Sequence, residues 1–200
     1  MDKSIELKKL HTKWLAECVC KLKKTATRGV PGDGSAHAEI VFIGEAPGAK
    51  EDKEGRPFVG AAGKFLAEML ADVKMKREDI YITNIVKYRP PDNRDPLPKE
   101  IAACAKWLEE EIKLINPKLI VFLGRHSMNH FFPKEKISTV HGKLIIEPKW
   151  GKRQHFLPLY HPAAALYNGS LRATLKEDFA KIPLILKEIA KNPSTIFPLP

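Results

Sequence analysis

The sequence predicts an α/β domain: a mainly parallel, four-stranded sheet covered by helices on both faces. Four short apolar runs rich in β-branched residues stand at Ala38–Ile43, Ile80–Val86, Lys118–Leu123 and His155–Tyr160. That length and composition mark buried strands. Between them lie segments whose apolar residues recur at helical spacing. Strands that alternate with helices pair in parallel, because each crossover returns the chain to the same sheet edge. A chain of 200 residues suits one domain, spanning residues 1–200 with its core at about 20–190.

The elements follow in order. Leu7, Leu10, Trp14 and Cys18 share one helical face over residues 5–18. Gly29–Ser35 is a loop, and Ala38–Ile43 is the first strand. Gly44–Gly63 is rich in glycine, proline and charge, so it reads as a structured loop leading into a helix at about Lys64–Ala71. Ile80–Val86 is the second strand. Arg89–Pro98 holds four prolines, which excludes regular structure, and Pro98 then opens a helix with Ile101, Cys104, Leu108, Ile112 and Ile115 on one stripe. Lys118–Leu123 is the third strand, followed by a short helix over Arg125–Phe132 and an added edge strand at Lys143–Ile146. His155–Tyr160 is the fourth strand. A last helix starts near Leu171, with a kink expected at Pro183, and the tail after Asn192 reads as loose.

The charge balance narrows the function classes. Thirty-four Lys and Arg against 24 Asp and Glu give a net charge of +10, which favours a polyanion partner such as nucleic acid. No signal-peptide pattern and no membrane-length apolar run is present, so the expectation is a soluble, cytoplasmic protein. The three cysteines, Cys18, Cys20 and Cys104, are too few and odd in number for a disulfide framework, but leave a metal or cluster site open. P-loop, zinc-protease and Gly-x-Ser-x-Gly patterns are absent.

In open parallel sheets, ligands sit beyond the carboxyl ends of the strands. Three segments leave strands there: Gly44-Glu45-Ala46-Pro47-Gly48, the Asn84 region, and His161-Pro162. Each has a plain reading, as a tight turn, a loop-tying amide and a structural imidazole. Their convergence on one edge favours a shared site. Asn84 stands in an apolar strand, and a carboxamide offers a donor and an acceptor side by side to the edge of a planar base. Phe58 lies in the turn-rich Arg56-Pro57-Phe58-Val59-Gly60, either plugging the loop onto the core or offering a face for a base to stack on.

These residues sit in longer motifs. Ile43–Gly48, Glu51-Asp52, Gly55–Gly60, Tyr81–Asn84, Lys87 with Arg89-Pro90-Pro91, Asn93–Pro96 and His161-Pro162-Ala163 together resemble family 4 uracil-DNA glycosylases. The resemblance implies a three-layer α/β/α domain of the uracil-DNA glycosylase kind. Such a domain flips uracil out of DNA and hydrolyses its N-glycosidic bond as a monofunctional enzyme of base excision repair. By the same resemblance, Glu45, His161 and Glu51 form the catalytic set, Glu51 standing at an acidic position near the pocket. Gly44, Ala46, Pro47, Gly48, Phe58 and Asn84 bind the base. Leu166 and Arg172 meet the DNA, an apolar wedge beside a cation.

The family's [4Fe–4S] cluster needs four cysteines. Cys20 and Cys104 stand at its second and fourth places, Tyr88 replaces the third, and Glu17 takes the first with Cys18 displaced by one. These three cysteines are the candidate ligands of a cluster that lacks its fourth thiolate, and the chemistry needs no cofactor. The expected partner is uracil-containing DNA, met by a monomer, with no membrane. Ile196-Phe197-Pro198-Leu199 reads as a disordered end rather than a docking peptide for a sliding clamp. Two other readings stand beside this one: a relative acting on another deaminated base such as hypoxanthine, and a non-catalytic DNA-binding module. The module predicts loss of Glu45, Asn84 or His161, all of which are present.

Overall fold

The computed structural model describes residues 2–191. The tail from residue 192, including the Ile196–Leu199 peptide, lies outside the described residues. In chain order the elements are α1 (Lys3–Glu17), β1 (Asp33–Gly34), β2 (Ile40–Gly44), α2 (Ala49–Glu54), α3 (Ala61–Asp72), β3 (Tyr81–Asn84), α4 (Pro98–Ile115) and β4 (Leu119–Leu123). Then follow α5 (Arg125–Phe131), α6 (Ile137–Val140), β5 (Ile145–Lys149), β6 (Lys152–Leu159), α7 (Pro162–Tyr167), α8 (Gly169–Phe179) and α9 (Ile182–Lys191).

Among the described residues the strands form one sheet in the order β1-β3-β2-β4-β6-β5. The central four, β3-β2-β4-β6, are parallel, with Val41 opposite Tyr81 and Ile120, and Ile120 opposite Phe156. These are the four strands expected from the apolar runs. The two outer strands pair antiparallel: β5 is the expected edge strand, and β1 is a two-residue addition against β3. Alternate residues of each central strand feed two separate cores. Phe42, Ile82, Val121 and Leu157 pack under α3, α8 and α9, while Val41, Tyr81, Ile120 and Phe156 pack under α1 and α4. This is a three-layer α/β/α sandwich.

Two elements differ from expectation. Within Gly44–Gly63 a helix, α2, is anchored by the buried Asp52, whose carboxylate accepts the N–H of Thr27 at 2.9 Å and of Arg28 at 3.3 Å. The last helix is two helices: the break falls at Ala180–Lys181, before Pro183, so Pro183 opens α9 where its missing N–H costs nothing, rather than kinking one long helix.

A buried ion pair stiffens the centre. Lys87 and Glu111, both fully buried, meet at 2.6 Å. The Lys87 ammonium also donates to Thr83 Oγ1 at 2.5 Å. Burial alone would raise the Glu111 carboxyl, but Lys87 and then His11 hold it well below the ordinary carboxylate range.

Candidate active site at the sheet's carboxyl edge

Three chain segments leave the carboxyl ends of parallel strands together, and a cleft of about 330 Å³ opens between them. β2 delivers Glu45, Ala46, Pro47 and Gly48, β3 delivers Asn84, and β6 delivers His161. Phe58 and Glu51 close one wall, and Asn93, Arg94 and Asp95 form the opposite rim. The base-binding and catalytic residues expected from the sequence are therefore gathered in one place. Gly44 lies just beneath them: a Cβ there would come within 2.4 Å of Asn84 Oδ1 and 2.7 Å of the Phe58 ring. Only glycine lets the amide and the ring approach the strand end this closely.

Phe58 holds φ at 53°, a conformation that a bulky side chain adopts only when its surroundings force it. Glu51 is one such constraint, because its Oε1 accepts the N–H of Val59 at 2.8 Å and of Gly60 at 2.7 Å. Arg77 is another, donating to the carbonyl of Pro57 at 2.6 Å. The ring so held lies 5.8 Å from the His161 imidazole.

Asn84 is 3% exposed, yet its Oδ1 has no hydrogen-bond partner among the described residues. A buried amide oxygen left unpaired costs roughly 1–3 kcal/mol. Here it borders the cleft, where a ligand's N–H would satisfy it. His161 is also fixed: its Nδ1 accepts the N–H of Ala163 at 3.1 Å. That leaves the ring proton on Nε2. Burial first, and the neighbouring His126 second, push this imidazole down to about 4, so it is neutral at neutral pH. Glu45 is shifted the other way. Burial raises its carboxyl, His126 and Arg125 oppose the rise, and Asp95 adds to it.

His126, beside this cleft and against Glu45 and Asp95, is the residue that motif reading missed. It follows Gly124-Arg125 at the start of α5, on the same carboxyl edge, and that position after a strand is the signal that pointed to it. Glu45, Asp95 and His126 place ligand atoms within 4.8 Å of one another. The Arg125 guanidinium neutralises this group from within, lying 3.1 Å from Asp95 and 3.0 Å from His126, so it is not built to hold a cation. Leu166 and Tyr167 project at the end of α7, 39% and 91% exposed. Arg172 pairs with Glu68 at 2.6 Å and lies over the Phe65 ring at 4.1 Å while its side chain stays 40% exposed.

The cysteines form a separate corner between α1 and α4. Cys18 Sγ donates to the Ala103 carbonyl at 3.7 Å and Cys20 Sγ to the Glu100 carbonyl at 3.8 Å; the neighbouring Cys104 thiol lowers Cys18 to about 6, while Cys18 and Cys20 raise Cys104. Trp14, Leu22, Val86 and Trp107 seal the corner, and the Tyr88 ring stands edge-on to Trp14 at 5.8 Å. An iron–sulfur cube on protein thiolates takes four of them. Three buried thiols and one phenol do not supply that set, so the residues present do not fit the cluster.

Residues 31–185 match the family described as the uracil DNA glycosylase superfamily. The type-4 uracil-DNA glycosylase of Sulfurisphaera tokodaii is 50% identical over 180 residues, 87% of this chain and 80% of that protein. That of Archaeoglobus fulgidus is 49% identical over 168 residues, 82% and 84% of the two chains. That of Thermotoga maritima is 41% identical over 188 residues, 92% and 96%.

Proposed function

The chain belongs to the uracil DNA glycosylase superfamily, and from that membership we propose how this cleft removes uracil from DNA. The protein is a DNA-repair glycosylase that excises uracil and leaves an abasic site. One observation carries the assignment of the cleft: the unpaired, buried Asn84 Oδ1 beside the strained Phe58 ring. A flipped uracil stacks on Phe58, gives its N3–H to Asn84 Oδ1 and accepts from Asn84 Nδ2 at O4. Cytosine lacks that N3–H and meets an acceptor with an acceptor, so it is refused.

Bond cleavage follows from the same geometry. The C1′–N1 electron pair leaves with the base, and negative charge spreads onto O2. The neutral His161 donates its Nε2–H toward that oxygen, a donor already oriented before charge develops. The sugar becomes cationic, and the Glu45 carboxylate stabilises it and takes the proton of the water that adds to C1′. Glu51 acts by holding the Phe58 loop. Leu166, with Tyr167 beside it, enters the duplex where the base has left. Arg172 supports α3 through Glu68, and its contact with DNA depends on releasing that pair. No step needs a metal or a cluster.

The test is uracil release from a single-uracil oligonucleotide against a thymine control. Release by the wild type and its loss in Glu45→Ala support the reading. Release of thymine or hypoxanthine in place of uracil would move the specificity to another base.

A further inference from the structure

His126 lies beside the cleft, against its lining residues Glu45 and Asp95, but has no part in the steps above, and what it touches gives it one. Gly124, at φ 101°, turns the chain off β4. A Cβ at Gly124 would come within 3.0 Å of His161, so this turn sets the start of α5 directly against the catalytic edge. His126 Nε2 then lies 3.1 Å from Asp95 Oδ2 and 3.8 Å from Glu45 Oε2. We propose that His126 is a positioning residue for uracil excision: set between Asp95 and Glu45, it keeps Glu45 in the charged form that the reaction uses. The inference rests on the excision reading above.

The contacts of one nitrogen atom make the case. Arg125 Nε donates to His126 Nε2 at 3.0 Å. The same Nε2 faces two carboxylate oxygens. An imidazole nitrogen that accepts from Arg125 carries no proton, and one that donates to a carboxylate must carry one. Nε2 therefore has two alternatives. Bare, it is held by Arg125. Carrying a proton, it donates to Asp95 and faces Glu45, and with both ring nitrogens protonated the imidazolium sets a positive charge next to a carboxylate that burial would otherwise neutralise.

Exposure decides which neighbour matters most to Glu45. Its charged neighbours are His126, Asp95 and Arg125. The Asp95 and Arg125 side chains are 61% and 66% exposed, so solvent screens them, while His126 and Glu45 are 24% and 25% exposed. The nearest shielded ionisable neighbour is thus His126. Its other neighbour is His161, itself beside Glu51. Because burial keeps His161 neutral at neutral pH, the pair of histidines does not repel there.

Single-turnover uracil release, followed across about pH 5 to 9 with affinity for a uracil-free strand measured in parallel, tests this. Wild type, His126→Ala, His126→Gln and Glu45→Gln are compared. In the wild type the rate rises with pH as Glu45 ionises, and Glu45→Gln removes that limb. Both His126 variants move the limb to higher pH and lower the rate at neutral pH about tenfold, with affinity within about twofold. The Gln variant keeps a hydrogen bond but not the charge, so its matching the Ala variant assigns the effect to charge. A limb that stays in place, or survives Glu45→Gln, overturns the proposal. Lost affinity with an unmoved limb makes His126 a phosphate contact and overturns it equally. No release by wild-type protein that still binds DNA would instead overturn the excision reading and this inference with it.

Discussion

Asn84 and Tyr88 lie four residues apart on the segment that leaves β3, and each ends in a buried oxygen without a partner among the described residues. Their surroundings differ. Asn84 Oδ1 borders an open cleft with a strained aromatic wall, a neutral imidazole and a raised carboxyl. The Tyr88 hydroxyl borders thiols and indoles in closed packing, where burial first and the thiols next raise its own ionisation. The same defect has two meanings: an unpaired group facing open space is a seat for a ligand, and one facing packed side chains is the residue of a substitution. Burial alone would not have told them apart.

The strongest way to break the comparison is to remove what separates the two regions. Lys87 lies between Asn84 and Tyr88 and ties the segment to α4 through Glu111. Lys87→Met leaves the buried Glu111 carboxylate with only His11 and the Thr83 hydroxyl beside it, which should cost about 3–5 kcal/mol. Thermal unfolding checks it, and loss below 1 kcal/mol, by the same scale, would mean the pair does not brace the segment. The pH dependence has a definite sign. Glu111 is depressed in the folded protein, so its contribution is present above the ordinary carboxylate pKa and is lost as pH falls through the folded value. Lys87→Met should flatten that acid loss.

Next in size is the ligand-facing oxygen. Asn84→Ala should slow uracil release by about 100- to 1,000-fold, the usual loss for one preorganised group, with strand affinity nearly kept. Wild-type turnover would remove Asn84 from base recognition. This site was largely legible in the sequence because Glu45 and His161 follow apolar runs and Asn84 is the polar residue inside one, and parallel strands bring their carboxyl ends together whatever their separation in sequence. His126 was only partly legible: its place after a strand marks the edge, but Gly124-Arg125-His126 is otherwise an ordinary strand exit, and its meaning comes from Asp95 and Glu45 arriving from other segments. Helix α2 was hidden because its short run Ala49–Glu54 is charged rather than periodic, and its anchor, Asp52, works through Thr27 and Arg28 far along the chain.

The thiol corner should answer to packing alone. Cys104→Ser places a polar hydroxyl among buried indoles and thiols and should cost about 1–3 kcal/mol. Uracil release per folded molecule should not change, and purified wild-type protein should be colourless, with iron far below one per chain. Brown protein that bleaches on Cys104→Ser would show that the corner opens to take a cluster.

The smallest effect is the most discriminating. Tyr88→Phe deletes only the hydroxyl that has no partner and keeps the ring that stands edge-on to Trp14. Deleting an unsatisfied buried group while keeping its shape should be neutral or stabilising by up to about 1 kcal/mol. Uracil release should be untouched, in contrast to the loss expected at Asn84. A clear destabilisation would mean that the hydroxyl has a partner, either a thiolate drawn from Cys18, whose pKa of about 6 favours the charged form at neutral pH, or a bound group. Repeating the comparison below and above that pH separates these cases. Stabilisation by the hydroxyl that appears only on the alkaline side points to the Cys18 thiolate as its acceptor, and stabilisation that follows iron content points to a ligand that Tyr88 helps to hold.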